Sequence, residues 1–179
     1  MRRGRTYPQS TVGYNGFQKV YETTLGMAAS SITISGLNGN TDVEYMMESR
    51  IIRDGAGADV LRLNNDSTAN IYGYQCLSAG STTLYPSRTP DNCLIGLSSE
   101  LAATVAYAKV HIYAKSGFTR TATAIQVHRI NGTTVTYTAL WGLVYNQTSN
   151  NITSMTITAS ANNMDVGTYL ALYAKRART

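Results

Sequence analysis

The sequence predicts an all-β protein, a single-domain β-sandwich of jelly-roll-like type with an extended N-terminal arm. Three observations lead there. Charged residues make up only 14% of the 179 residues, far below the usual quarter, and Thr, Ser and Asn stand in their place. There are 13 Tyr, and Tyr and Thr suit a pleated, half-buried surface better than a helix. Short runs of period-two alternation follow one another along the chain, separated by Asn, Gly and Asp turns.

Residues 1–17, MRRGRTYPQSTVGYNGF, show no periodicity and carry Gly4, Pro8, Gly13 and Gly16. They read as an extended basic arm outside the core. The domain proper is expected over 18–175, with a short basic tail at 176–179. KVYETTL is the first strand. SSITISGL is the second, with Ile32 and Ile34 alternating against Thr33 and Ser35. Asn38-Gly39-Asn40 reads as a tight hairpin turn, since Asn and Gly tolerate positive φ. The next strand sets Val43, Tyr45 and Met47 on an inward face, with Glu44, Met46, Glu48 and Arg50 opposite.

RDGAGAD is a loop, and DVLRLNND a short strand with Leu61 and Leu63 inward. NDSTAN turns into IYGYQCL. Residues 78–92, with Pro86 and Pro90, read as a long polar connection, and NCLIGL as a further strand. SSELAATVAYA has some helical character. The alternation of Ala106, Ala108, Val110, Ile112 and Ala114 with Tyr107, Lys109, His111 and Tyr113 decides for a strand instead. TRTATAIQVHRI and TTVTYTALWGLVY flank Asn131-Gly132, the strongest short hairpin signal in the chain. ITSMTITAS and VGTYLALYAKR complete about ten strands, a count that belongs to a sandwich or barrel.

The net charge is +5, unevenly placed. Arg2, Arg3 and Arg5 face no acid in the arm. Residues 18–100 hold five basic and nine acidic residues, and residues 101–179 hold seven basic residues against Asp165 alone. No apolar stretch follows the basic start, so no secretory leader is expected. No run reaches the ~20 apolar residues of a membrane span. Folding in a cytoplasm is the expectation, with Cys76 and Cys93 as free thiols; a bond between them would need an extracellular setting.

Catalytic patterns are absent: no GxSxG, HExxH or GxxxxGK[ST] occurs. His111 and His128 have only Asp165 as an acid in their half of the chain, a poor start for a Ser-His-Asp arrangement. Glu44 and Glu48, four apart on one strand, are ~13 Å apart at ~3.3 Å per residue, too far for paired carboxylates. Asp54 and Asp59 flank a glycine-rich loop where Ca²⁺ could sit, though turn-favouring acids explain them as well. Two Cys and two His without close spacing make no zinc site. No enzymatic activity and no cofactor are expected. Tyr72, Tyr74, Tyr107, Tyr113, Tyr137, Tyr145, Tyr169 and Tyr173 fall in strands, spread as interface anchors are, and Trp141 reads as core or interface. Partner-binding candidates are the two basic ends: Arg2, Arg3, Arg5 and Tyr7 in the arm, and Lys175, Arg176 and Arg178 in the tail. They suit an acidic neighbouring subunit.

The stretch ITISGLNGNTDVEYMMESRI, followed by LRLNNDSTANIYGYQCL and closing on YLALYAKR, resembles small virion structural proteins of tailed bacteriophages. The GLNGNTD-like turn (Gly36 to Asp42), the aromatic strand bearing Tyr45 and the NNDS-like turn (Asn64 to Ser67) carry the likeness, over roughly residues 30–77. The resemblance implies a jelly-roll or β-sandwich subunit, commonly in symmetric oligomers and without enzymatic activity. It implies no functional residue of its own. Two functions follow as expectations. One is a capsid decoration or cement protein, trimeric, made in the bacterial cytoplasm and bound in the virion to the major capsid protein or other subunits. The alternative is a tail or baseplate module that recognises host surface glycan through Tyr and Asn/Asp loops. Nucleic-acid packaging is disfavoured, because the arms are short and no dense basic stripe lies on the sheet.

Overall fold

The computed structural model describes residues 16–53, 55, 57–79, 84–91, 95–99, 105–129 and 135–176; residues 57–58, 84–91, 95–99, 129 and 136 are described by backbone pairing alone. Within them the chain forms β1 (Gln18–Thr24), β2 (Ser31–Ser35), α1 (Gly39–Asp42), β3 (Glu44–Ile52), β4 (Gly57–Leu63), β5 (Tyr72–Ala79) and β6 (Leu84–Asp91). These are followed by β7 (Ile95–Ser99), β8 (Val105–Tyr113), β9 (Arg120–Arg129), β10 (Val135–Tyr145), β11 (Ser154–Ala159) and β12 (Tyr169–Lys175).

Two antiparallel sheets result. The large one has strand order β1-β12-β3-β8-β9-β10-β5-β6, and the small one β2-β11-β4-β7. The pairings nest: β1 with β12, β2 with β11, β3 with β8, and β4 with β7. Outer strands wrap inner ones in sequence, and successive strands alternate between sheets, which is the wrapping of a jelly roll. Two hairpins are inserted into it. β5–β6 lies between β4 and β7, and β9–β10 between β8 and β11. Because β10 pairs with β5, both insertions extend the large sheet on the side of β8.

Alternation decides what is buried. Ile32 and Ile34 of β2, Leu61 and Leu63 of β4, and Met155 and Ile157 of β11 pack inward from the small sheet. Tyr45, Met47, Val110, Ile112, Leu170 and Leu172 join them from the large one in one continuous core. Each such side chain, removed from water, contributes roughly 1.5–3 kcal/mol.

The structure corrects several expectations. Asn38-Gly39-Asn40 is not a hairpin turn, because β2 and β3 belong to different sheets. The segment is a one-turn helix that crosses between them. Asn38 caps it, its side chain accepting from the Thr41 N–H, and the N–H groups of Leu37 and Gly39 donate to the carbonyls of Thr153 and Ile152. Gly39 is required for closeness rather than for positive φ: a Cβ there would sit 2.9 Å from the Ala114 carbonyl oxygen. Val43 closes the helix at φ 40° instead of opening the strand. Residues 78–92 are not a long connection, since β6 pairs with β5 along its whole length. Pro86 and Pro90 are tolerated because β6 is the edge strand. The Asn131-Gly132 turn lies outside the described residues, and the strands on either side of it pair as a hairpin.

Candidate functional site

One end of the sandwich gathers α1, the loops at 64–71, 114–119 and 146–153, the start of β1 and the end of β12. Gln18 lies opposite Ala174 in the β1–β12 ladder, so the arm and the tail leave from the same corner. Phe17 packs there with its ring 5.7 Å from Lys175 Nζ and 5.7 Å from the His111 ring. Lys175 Nζ donates to Glu44 Oε1 at 2.9 Å, and His111 Nε2 lies 3.1 Å from Glu44 Oε2. Burial pulls the Glu44 carboxyl upward, but the hydrogen bonds from Lys175 and His111 outweigh it and leave it below the usual carboxylate range. Arg176 is 74% exposed, with its Nε 3.6 Å from Asp42 Oδ1. Of the partner-binding candidates, Lys175 is thus already committed within the fold and Arg176 is open to solvent. Arg2, Arg3, Arg5, Tyr7 and Arg178 lie outside the described residues.

The loops at this end bond to one another. Asn64 Oδ1 accepts from the N–H groups of Thr153 and Ser154, and its amide donates to the Asn151 carbonyl. Asn151 Nδ2 donates to Asn38 Oδ1, and Asn40 Oδ1 accepts from the Ser116 N–H. Buried tyrosines support them from below. Tyr45 donates to Asp42 at 2.8 Å and Tyr145 to Asp66 at 2.9 Å. Tyr72 stacks on Tyr145 with centroids 4.7 Å apart, and its hydroxyl bonds the Leu63 backbone. Both rings are buried. They are core residues that fasten loops, not the interface anchors expected from sequence. Trp141 is likewise buried.

The catalytic alternatives come apart in space. His111 is engaged by Glu44, whereas Asp165 sits at the far end of β3, its N–H bonded to the Ile52 carbonyl. Glu44 and Glu48 each pair with a different lysine, Glu48 with Lys109 at 3.1 Å. Asp59 faces the interior and is paired with the fully buried Arg53, which also donates to the Ala161 carbonyl. Burial pushes the Asp59 carboxyl up to about 6 although Arg53 pulls it down. Asp54 lies outside the described residues. His128 is buried, and burial lowers it to about 4. Cys76 is a buried free thiol whose pKa burial raises; Cys93 lies outside the described residues. Among the described residues no three His, Cys, Asp or Glu side chains converge, and no helix is long and apolar enough to cross a membrane.

A feature missed from sequence is the outer face of the large sheet. Ile125, Leu140 and Leu77 lie directly opposite one another on β9, β10 and β5, and are 54%, 55% and 48% exposed. A shallow groove of about 260 Å³ runs along them. A second, of about 410 Å³, is lined by Arg50, Ile52, Val105, Tyr107 and Val127. The signal was present as runs apolar on both faces, AIQV and ALWGLV, where strict alternation fails. No family model, curated protein or solved structure matches the chain.

Proposed function

We propose that the protein is a structural subunit of a bacteriophage virion, of the head-decoration kind, which attaches to the outer capsid shell through its two basic ends and performs no chemistry. The convergence of those ends carries the reading. With Gln18 opposite Ala174, the segment bearing Arg2, Arg3 and Arg5 and the segment bearing Arg176 and Arg178 depart from one corner. Two short cationic segments tethered side by side act as a single anchor, because binding of one holds the other at high local concentration. An acidic patch on the major capsid protein or another virion subunit is the chemistry they fit. The jelly-roll wrapping agrees with a role in a viral shell. The glycan alternative draws less support: the side chains of Asn38, Asn40, Asn64 and Asn151 at that end are spent on bonds between the loops rather than offered to a ligand.

The test is add-back to particles that lack the protein, comparing the full chain with one lacking Met1–Gln9. Removing the three arm arginines should lower occupancy at least about tenfold, more at low salt than at high, with the unfolding midpoint unchanged. Equal occupancy overturns the anchor. Binding on a glycan array together with a location at the tail tip replaces the decoration reading with the tail alternative.

A further inference from the structure

The outer face of the large sheet carries a row of half-exposed apolar side chains, Ile125, Leu140 and Leu77. We propose that it is a self-association surface, on which two copies of the chain pack face to face about a twofold axis passing near Leu140. This extends the reading of the chain as a structural subunit by naming what covers the sheet, and its test needs no particle, so either idea can fail alone.

The first argument is self-complementarity. Leu140 lies at the centre of the row, with Ile125 one strand away on one side and Leu77 one strand away on the other. Strands are ~4.8 Å apart. A twofold axis that lies in the interface over Leu140 and runs parallel to β10 sets Leu140 against Leu140 and Ile125 against Leu77, and the contacts repeat reciprocally, as an isologous interface requires. Flat antiparallel sheets pack in this way with ~10 Å between them, side chains interdigitating.

Size is the second. Two sheets paired about an axis along β10 overlap from β8 to the edge strand β6; these five strands, at ~4.8 Å each and about nine residues long at ~3.3 Å each, offer a face on the order of 700 Å². A stable protein–protein interface buries ~800 Å² per partner. The apolar row and the groove along it form its centre.

Charge is the third. Near the apolar row Lys109 of β8 is paired with Glu48, while Arg50 of β3, which donates to the Gly167 carbonyl, lies outside the strands that a twofold along β10 overlaps. The face thus has little net charge with which to select a basic or an acidic partner, and a second copy brings no repulsion. Association by adding strands at the β6 edge of the sheet is discouraged, since β6 carries Pro86 and Pro90, which have no N–H to donate to a neighbour.

Sedimentation equilibrium of the full chain tests the pairing. The expected mass is twice the 19.4 kDa of the chain. Leu140→Lys places two ammonium groups on the axis and should raise the dissociation constant at least about tenfold, with the circular dichroism spectrum unchanged. Ser31→Lys, on the exposed side of the small sheet, should leave the mass as it is. Should Leu140→Lys fail to fold, Leu140→Cys with a short bismaleimide should give a crosslinked pair that the wild-type chain does not. A single-chain mass persisting to ~100 μM, far above the micromolar range of weak but specific association, overturns the pairing. So does a three-chain mass, a Leu140→Lys protein that keeps its doubled mass, equal dissociation by Ser31→Lys, or absence of the crosslink.

Discussion

The outer face of the large sheet changes character between β8 and β9. On the β8 side it is a lattice of cross-strand ion pairs, Glu44 with Lys175 and Glu48 with Lys109. On the β9 side the described outward side chains of β9, β10 and β5 carry no charge, and Ile125, Leu140 and Leu77 stand half in water. The inner face beneath is buried on both sides. Cross-strand pairs are the unit by which a sheet is stabilised, and the two halves are finished differently, one with ion pairs and one with apolar side chains left half exposed. The boundary coincides with the topology. The ion-paired half belongs to the jelly-roll strands β12, β3 and β8, and the apolar half to the two inserted hairpins.

The largest expected effect comes from substituting the same residue type on either side of that division. Leu172, on the inner face of β12, is fully buried. Leu172→Ala should cost about 2–5 kcal/mol, for lost burial plus the cavity left behind. Leu140→Ala removes the same atoms from the outer face of an inserted strand, and in dilute solution should cost less than about 0.5 kcal/mol. Urea unfolding of both variants at low protein concentration measures the difference. Equal losses would mean that the insertions are as much part of the stable core as the jelly roll.

The pH dependence sharpens the comparison from beneath the added strands. His128 lies on the inner side of β9, and burial lowers it from 6.5 to about 4. The unfolded chain takes up the proton first. The contribution of neutral His128 is therefore complete above about 6.5 and lost as pH falls toward 4, by roughly 3 kcal/mol in all. Asp59, pushed up from 3.8 to about 6, works the other way, adding stability as pH falls through the same window. The informative quantity is the stability of the wild-type chain minus that of His128→Leu, which should shrink between pH 7 and pH 4. A constant difference would mean that His128 accepts its proton inside the fold, and hence that water reaches the underside of the inserted hairpins.

Elements with one buried face were legible in the sequence. Tyr45 and Met47, Leu61 and Leu63, and Ala106 through Ile112 alternate as strands must, and burial follows them. The turn at Asn38-Gly39 was misread because local turn chemistry does not say whether the flanking strands pair with each other or part into two sheets. That depends on the Thr153 and Ile152 carbonyls, more than 100 residues away. Strand β6 was hidden by prolines that only an edge position permits. Asp59 was read with Asp54 as a loop acid, because nothing local says that it points inward to Arg53. The apolar row was missed because alternation assigns apolar residues to the inside. Ile125, Leu140 and Leu77 take their meaning from lateral register across three strands. Of the basic ends, sequence could propose Lys175 as a contact, but not that Glu44 already holds it.

The smallest effect lies at the boundary itself. Lys109 and Glu48 meet at 3.1 Å with side chains 45% and 29% exposed, and Lys109 stands directly opposite Ile125 in the β8–β9 ladder. While the face is open to water, a double-mutant cycle with Lys109→Met and Glu48→Gln should give a coupling of about 0.2–1 kcal/mol, diminishing as salt is added. The same cycle above the concentration at which chains pair should behave differently. A second sheet laid over the apolar row would exclude water from its border, raising the coupling and weakening its salt dependence, because a pair removed from water is screened less. A coupling that is small and salt-sensitive at every concentration would mean that Lys109 and Glu48 remain in water throughout. Any partner covering the apolar half would then have to stop short of β8.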